Sequence, residues 1–298
     1  MESIKGVYVS LQTPFLPDGR IDLRSLKSEV DFCIRAGCHG LVIPVMAGEF
    51  FTLTDKERLF VADVTVKQSA GRVPVMIGVQ GLTMDHALFF TENASRIGAN
   101  SVIAMPPYLR KASEEALKFY FHAIDAVGLP VMIQSLQPPL GTPVSRALLE
   151  FLLEHCPNTR YVKEEANPLG RRISTIVGLK PKGLLGVFSG RNGLWLINDL
   201  DRGVCGTMPA APFTDLHVKI WNLYISGDRE GARRIYQRLL PILNLGSLYG
   251  NTFNKEILCR RGIIAHTYVR DPEAQTLDDY DFREIDEALV ALQPDLIV

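Results

Sequence analysis

TRYVKEEA, residues 159–166, is the stretch on which both the fold and the chemistry depend. It follows a turn signal at residues 156–158, and its β-branched and aromatic start gives way to charge at Lys163. Alternate residues of a strand point to the same face, so Tyr161, Lys163 and Glu165 share one face if the stretch is a strand. Partial burial favours the neutral form of an amine, whose lone pair can attack a carbonyl. A solvated lysine that closes an edge strand is the alternative.

Short β-rich runs alternate with longer helical patterns on both sides of this stretch. The predicted units are 6–15 with 23–36, 40–46 with a helix that opens at Thr54, 74–79 with 83–97, 101–105 with 113–127, 130–136 with 143–155, 160–163 with a looser segment at 168–177, 184–189 with 193–200, and 203–208 with 214–224. Apolar strands with helical crossovers indicate a parallel sheet covered by helices. Eight units in about 225 residues favour an α/β fold of the (β/α)8 TIM barrel type over an open doubly wound sheet, which stays the alternative.

Capping signals and prolines predict where several helices begin and end. Thr54 opens a sequence of capping-box form, and Pro143 suits the first position of a helix. After Gly227 the pattern is wholly helical, with predicted helices at 228–240, 252–263 and 281–292, the first of them stopped by Pro241. We therefore predict a barrel over residues 1–226 that carries the active site. A C-terminal three-helix extension over residues 227–298 packs against it.

Composition excludes several classes of function. The chain of 298 residues is 47% hydrophobic and 22% charged, with a formal net charge of −1, so there is no electrostatic case for nucleic acid or an anionic membrane surface. Its apolar runs are shorter than the roughly 20 residues that span a bilayer. Five scattered cysteines without C-x-x-C, and a start without a signal segment, lead us to expect a reduced, cytoplasmic protein. The six histidines have no metal-ligand spacing.

Chemically useful residues fall at the predicted carboxyl ends of the strands, where the catalytic groups of α/β barrels gather. They are Ala47, Gly48 and Glu49 after the second strand, Tyr108 after the fourth, Gln134 on the fifth, Lys163 on the sixth, Ser189 and Arg191 at the seventh, and Cys205 and Thr207 on the eighth. There is no G-x-S-x-G, Walker or G-x-G-x-x-G motif, so hydrolase and nucleotide-binding interpretations lack their usual support.

Four of these points, taken in order, resemble the dihydrodipicolinate synthase/N-acetylneuraminate lyase superfamily of Schiff-base aldolases and dehydratases. They are Gly48-Glu49, Pro106-Pro107-Tyr108, Lys163-Glu164 and Ser189-Gly190, and the resemblance runs from about residue 6 to 292. It implies a barrel with a helical C-terminal region, commonly tetrameric. It also implies a lysine, here Lys163, that forms an imine with pyruvate or another 2-oxo acid, without a metal or organic cofactor. Tyr108 matches a tyrosine that often reaches the site of a neighbouring subunit.

The sequence departs from the family pattern at three places. The usual Gly-Thr-Thr-Gly-Glu reads Val-Met-Ala-Gly-Glu at residues 45–49, so both hydroxyls are missing. Gln134 stands where the family has a tyrosine acid/base, and an amide cannot shuttle a proton near neutral pH. Pro139 stands where dihydrodipicolinate synthases carry a carboxylate-binding arginine. These departures, with the run 104–108, make the chain resemble the 2-keto-3-deoxy-L-arabonate dehydratase branch more closely.

We therefore predict a lyase that dehydrates a 2-keto-3-deoxy sugar acid through an imine on Lys163. Gln134 and Tyr108 are the other candidate catalytic residues, and Ala47, Gly48, Glu49, Ser189, Arg191, Cys205 and Thr207 are candidate substrate contacts, with Asn251 a further one. Water, Ser189 or Thr207 would replace the missing proton carrier. Glu164 and Glu165 are expected to form ion pairs on the helix side more than to orient the lysine. A pyruvate-releasing aldolase, a dihydrodipicolinate-synthase-like enzyme and an inactive barrel that binds 2-oxo acids are the alternatives.

Overall fold

Eight parallel strands close into a barrel in sequence order, with the last strand next to the first. A computed structural model describes residues 3–110, 112–138 and 141–297, and these eight strands lie within that part of the chain. The strands are β1 (Gly6–Ser10), β2 (Gly40–Ile43), β3 (Val75–Gly78), β4 (Ser101–Ala104), β5 (Val131–Ser135), β6 (Thr159–Glu164), β7 (Gly186–Ser189) and β8 (Gly206–Thr207). The prediction of a (β/α)8 TIM barrel is confirmed, and the open sheet is excluded.

A helix follows each strand, and three more helices complete the chain. They are α1 (Leu23–Arg35), α2 (Asp55–Ser69), α3 (Met84–Arg96), α4 (Glu114–Asp125), α5 (Arg146–His155), α6 (Leu169–Leu179), α7 (Leu196–Asp201), α8 (Thr214–Ile225), α9 (Arg229–Tyr249), α10 (Asn251–Arg260) and α11 (Asp279–Leu292). The capping box at Thr54 is present, because its side chain accepts from the Glu57 N–H while the Glu57 carboxylate accepts from the Thr54 N–H.

Both proline-based helix boundaries were wrong. Pro241 lies inside α9, which continues to Tyr249, because Ile242 and Leu243 pack into the core and outweigh the backbone hydrogen bond that proline removes. Pro143 precedes α5 instead of opening it. Ser145 caps that helix, and its hydroxyl accepts the Leu148 N–H.

The inside of the barrel is a separate layer of packed side chains. Tyr8, Val42, Met76, Ile103, Met132, Tyr161, Phe188 and Met208 are among the buried residues that fill it, while a larger cluster packs between the strands and the helices. Along β6 Tyr161 points inward and Val162 outward, as the strand period of two requires. Lys163 therefore projects inward just above the packed layer, at the carboxyl end of the strand, as the sequence predicts.

The structure also bears on membrane insertion, metal binding and disulfide formation. Within the described residues, no helix is long and apolar enough to cross a membrane. In the same part of the chain, no group of three or more histidine, cysteine, aspartate or glutamate residues is placed to hold a metal ion. The five cysteines are free thiols, three of them buried.

Candidate active site

A cavity of about 510 Å³ opens at the carboxyl ends of the strands. The predicted residues Lys163, Gln134, Ala47 and Arg191 all line it. Its outer wall comes from the start of α10 and from the segment 269–275, so the C-terminal region contributes directly to the site. The structure thus brings together four of the ten predicted site residues in one cavity.

Lys163 is 5% exposed and lies beside a carboxylate. Its Nζ is 3.1 Å from Oε1 of Glu165, which is two residues further along the same face of the strand. A buried ammonium is stable only when it is paired and hydrogen-bonded, and Glu165 provides that pairing. The pair places a nucleophilic nitrogen and a proton acceptor within one hydrogen-bond length.

Glu165 is the centre of the polar contacts in the cavity. Its Oε2 accepts from Nε2 of Gln134 at 2.6 Å, and its Oε1 accepts from the Arg191 N–H at 3.3 Å. Burial by itself would raise the pKa of the Glu165 carboxyl, but the Lys163 ammonium and the Gln134 amide outweigh burial and hold that pKa below its usual value. Glu165 is therefore a carboxylate at neutral pH.

The loop after β7 is shaped to accept Glu165. A side chain at Gly190 would collide with the Glu165 carboxyl group, so only glycine fits there. Arg191 and Asn192 both have φ of +54°, a left-handed conformation that is strained for residues with a side chain. Two contacts hold this loop: Nε of Arg191 donates to the Glu165 carbonyl at 2.9 Å, and the Asn192 amide oxygen accepts from the Ala210 N–H at 2.9 Å.

The expectation for the two glutamates was right for one of them and wrong for the other. Glu164 faces away from the cavity and pairs with Arg172 of α6 at 3.1 Å, as expected for a helix-side ion pair. Glu165 forms no such pair; it faces inward against Lys163. The two adjacent carboxylates point to opposite faces because of the strand period of two.

The turn after β2 contributes three residues, Val45, Met46 and Ala47, to the cavity wall, while the two that follow, Gly48 and Glu49, hold the turn itself. Ala47 lines the cavity, whereas Gly48 and Glu49 do not, so their predicted substrate contacts are corrected. The Gly48 carbonyl accepts from the Thr13 hydroxyl at 2.7 Å. Oε1 of the fully buried Glu49 lies 2.5 Å from Nζ of Lys255, so this carboxylate fixes the turn to α10.

Ser189 and Thr207 lie on the wrong face for a role in the cavity. Phe188 of β7 points into the barrel, so Ser189 points outward and its hydroxyl donates to Oδ2 of Asp199 at 2.5 Å. The Thr207 hydroxyl donates to the Ser189 carbonyl at 3.3 Å. Both are fully buried outside the cavity, so neither can replace the missing proton carrier or contact substrate.

Cys205 lies at the opposite end of the barrel. It precedes β8 at the amino ends of the strands, where its carbonyl accepts from the Gly6 N–H at 2.9 Å and its thiol lies 3.9 Å from the Ile4 carbonyl. Burial raises the pKa of its thiol to about 12, so at neutral pH it stays a protonated, unreactive thiol. The prediction of a substrate contact at Cys205 is wrong.

Tyr108 is near the barrel mouth but outside the cavity that contains Lys163. Its ring packs edge-on against Phe50 at 5.4 Å between centroids, and it lines a separate cavity of about 650 Å³ with Leu109 and Arg110. Burial raises the pKa of its hydroxyl above the usual value. Its predicted catalytic role therefore cannot be exerted on the cavity of its own chain. Pro139, where the family has an arginine, lies outside the described residues.

Sequence reasoning missed Ser10. It placed Glu165 on the same face as Lys163 but favoured a helix-side ion pair over a contact with the lysine. Ser10 ends β1 and lines the cavity, and the signal for it was the strand period of two that also turns Tyr8 inward. Asn251, a weaker sequence candidate, does line the cavity, and its amide donates to the Met46 carbonyl at 3.2 Å.

A buried carboxyl supports the cavity wall from behind. Glu29 of α1 is fully buried, and its Oε1 accepts from the Gln12 N–H at 2.8 Å. The Gln12 side chain in turn donates to the Ala47 carbonyl at 3.2 Å. Burial raises the pKa of Glu29 from its ordinary 4.5 to about 8, although the Gln12 N–H and the charge of Lys255 oppose the rise.

The pH dependence of stability tests this raised pKa. Because the folded state holds the Glu29 proton more tightly than the unfolded state, the free energy of unfolding should fall as pH rises from about 4.5 to about 8. Glu29→Gln keeps the neutral shape and removes the titration. Relative to that variant, the wild type should lose stability over this window in urea titrations. The exposed Glu230→Gln is the control, and a Glu29→Gln curve parallel to the wild type would contradict the prediction.

The comparison with known proteins agrees with this geometry. Residues 3–289 match the Dihydrodipicolinate synthetase family. The chain is 29% identical over 273 residues to the L-2-keto-3-deoxyarabonate dehydratase of Azospirillum brasilense, covering 90% of this chain and 88% of that protein. It is 30% identical over 241 residues to the 4-hydroxy-tetrahydrodipicolinate synthase of Bacillus subtilis, covering 80% and 82%. The crystal structure of dihydrodipicolinate synthase from Rhodopseudomonas palustris aligns with a TM-score of 0.88 at 25% identity, covering 96% and 97%.

The barrel, its strand-end lysine and these matches define the class as a small-molecule lyase built on a TIM barrel. The chain belongs to the dihydrodipicolinate synthetase family. The match covers nearly the whole chain and confirms the resemblance seen in the sequence.

Proposed function

We propose that this protein removes water from a 2-keto-3-deoxy sugar acid through an imine on Lys163. The observation that carries the proposal is the contact set of Glu165, which lies 3.1 Å from the Lys163 nitrogen and 2.6 Å from the Gln134 amide. This set provides one nucleophile, one proton carrier and one neutral orienting group. The similarity to a dehydratase of the same family supports the choice of substrate class. The lysine itself supplies the electrophilic imine, so we propose no metal or organic cofactor.

Imine formation begins with a proton transfer inside the buried pair. Lys163 must be neutral to attack the C2 carbonyl, and Oε1 of Glu165 is close enough to take the proton. The Nζ lone pair then forms a bond to C2. The carbonyl oxygen leaves as water after taking one proton from the amine and one from Glu165. A protonated imine remains beside a carboxylate, so the site keeps its charge balance.

Elimination then uses the same carboxyl group twice. The Glu165 carboxylate takes a C3 proton, and the C3–H electron pair flows into the imine to give an enamine. The enamine electrons return, break the C4–O bond, and the departing hydroxyl takes the proton from Glu165 and leaves as water. Hydrolysis of the unsaturated imine frees Lys163 and an unsaturated 2-oxo acid. Gln134 holds the second oxygen of Glu165 throughout.

The lowered pKa of Glu165 favours dehydration over aldol cleavage. Cleavage of C3–C4 requires a base strong enough to take the C4 hydroxyl proton, which is far less acidic than a C3 proton beside an imine. The Lys163 cation lowers the pKa of the Glu165 carboxyl and makes its carboxylate a weak base. Once the enamine has formed, the nitrogen is neutral, and the Glu165 carboxylic acid is the proton donor beside it. That combination suits removal of the acidic C3 proton and protonation of a leaving hydroxyl.

Borohydride trapping tests the imine. With a 2-keto-3-deoxy sugar acid or pyruvate, borohydride should add the mass of the reduced adduct to the peptide that contains Lys163. Lys163→Ala should remove the adduct and lower turnover by about 10⁴-fold or more, because the covalent route is lost. The exposed Lys67→Ala is the matched control and should behave as wild type. Wild-type turnover in Lys163→Ala would refute the imine mechanism, and trapping without turnover of any sugar acid would favour an inactive binding barrel.

Replacement of Glu165 tests the proton carrier and the reaction type. Glu165→Gln should form the trapped imine more slowly, because Glu165 also carries the protons of imine formation, but should still reach it, while dehydration slows by about 10²–10⁴-fold, the usual contribution of a general acid–base group. Glu164→Gln, which changes the adjacent outward carboxylate, should retain most of the activity. Products are followed by mass spectrometry with a panel of 2-keto-3-deoxy pentonates and hexonates. Stoichiometric release of pyruvate from the best substrate would show an aldolase instead.

The quaternary structure is proposed to be a homotetramer with Tyr108 near a subunit contact. Exposed apolar side chains in this region support an interface there: Leu109, next to Tyr108, is 74% exposed, and Phe119 of α4, which lines a cavity with Pro107, is 62% exposed. Light scattering at micromolar concentration should give four times the chain mass. Leu109→Glu should shift the mass to a smaller species, whereas the exposed Leu248→Glu should not. A wild-type monomer would remove the proposal.

A further inference from the structure

The hydroxyl of Ser10 is a polar group of the cavity that lacks a partner. Ser10 is 3% exposed and ends β1 on the inward face, two residues after Tyr8. Its backbone N–H donates to the Pro209 carbonyl at 2.8 Å, so the main chain is fixed. Within the described residues, its Oγ is buried and has no hydrogen-bond partner. Buried hydroxyl groups are nearly always paired, so this one calls for a ligand.

The described part of the chain provides no hydrogen-bond partner for the Ser10 hydroxyl. Val45 and Met208, which line the same cavity, are apolar and belong to the packed layer inside the barrel. Of the other polar groups of the cavity, two are engaged inside the barrel, whereas Nη2 of Arg191, on the loop after β7, is a second buried donor without a partner in the described residues. Gln134 donates to Glu165, and Lys163 is paired with Glu165. Ser10 is therefore a free hydrogen-bond donor at the deep end of the site.

The geometry of a bound 2-oxo acid indicates which group meets this donor. C1, the carboxylate carbon, and C3 are both bonded to C2, so an imine on Lys163 directs one of them to the closed end of the cavity and the other to its mouth. The short C1 carboxylate fits the closed end, and the longer C3 side needs the open mouth. The hydroxylated remainder of the molecule then extends towards Asn251 and Gln275 at the mouth. The Glu165 carboxylate repels a second negative charge on its own side. Strand β1 is three strands away from β6 around the barrel, so Ser10 approaches from the other side.

We propose that the Ser10 hydroxyl donates a hydrogen bond to the C1 carboxylate of the substrate. The inference rests on the proposed imine at Lys163, and it assigns to β1 a binding group that the turn after β2, with Met46 and Ala47, does not provide from its side chains. Ser10 is thus a substrate-binding residue, and its effect is on affinity for the charged ligand.

The experiment measures the concentration of ligand that gives half-maximal borohydride trapping at Lys163. Two ligands are compared: pyruvate, which carries the carboxylate, and methyl pyruvate, which does not. Ser10→Ala should raise the half-maximal pyruvate concentration by about tenfold or more, since a hydrogen bond to a charged group is lost. The value for methyl pyruvate should change by about threefold or less, because its neutral ester gains less from the donor. Ser69→Ala, a buried serine at the end of α2 whose hydroxyl donates to the Val73 carbonyl, is the control.

The outcomes separate this inference from the proposed function. If wild-type protein traps pyruvate and Ser10→Ala leaves both values unchanged, the Ser10 role is wrong and the imine stands. An equal rise for both ligands would mean a structural effect and would also overturn the Ser10 role. If wild-type protein does not trap pyruvate at all, the imine mechanism and the Ser10 role fall together. Ser10→Ala should not lower the thermal stability of the ligand-free protein, because it removes an unpaired buried group.

Discussion

The ion pair between Lys163 and Glu165 is the interaction on which the rest of the site depends. Both side chains are buried inside the barrel, where neither charge would be stable alone. Their pairing follows from the strand period of two, which turns residues 163 and 165 to the same face and residue 164 to the other. Gln134, the Arg191 N–H and the glycine at position 190 are then arranged around the carboxylate. The loop after β7 has a strained, left-handed backbone, and this conformation belongs to the arrangement that holds the carboxylate in place.

The barrel does not make the cavity by itself. Glu49, in the turn after β2, pairs with Lys255 of α10, and its other oxygen accepts from the Arg270 and Asp271 N–H groups at 2.8 and 3.2 Å. Burial lowers the pKa of Lys255, and the opposing charge of Glu49 limits the fall. A buried pair of this kind is costly to break on one side only, so it fixes the turn to the C-terminal helices. The helical region is thereby a part of the active site as well as a support for it.

The sequence was sufficient to predict the fold and the end of the barrel at which the site lies, but not the direction of every side chain. Eight strand–helix units are readable because hydrophobic periodicity is local, and Lys163, Gln134 and Ala47 were placed by their positions at strand ends. The predictions for Ser189 and Thr207 failed because a shift of one residue along a strand turns the side chain to the other face of the sheet. On β7 it is Phe188 that points inward. Cys205 failed for a different reason, since β8 is only two residues long and begins after it. The extension of α9 beyond Pro241 depends on tertiary packing, which periodicity does not report.

The polar groups of this cavity come from other strands than those that carry hydroxyls in the family pattern. The family pattern places hydroxyls after the second strand and on the fifth, and here those positions carry Met46, Ala47 and Gln134. The groups that can act in their place come from other strands, with a carboxylate after β6 and a hydroxyl on β1. The two groups differ as bases. The phenol of a tyrosine has a pKa of about 10, whereas the pKa of the Glu165 carboxyl is held below its usual value. In this cavity the proton acceptor beside Lys163 is therefore a carboxylate, which is a weaker base than the phenolate of a tyrosine.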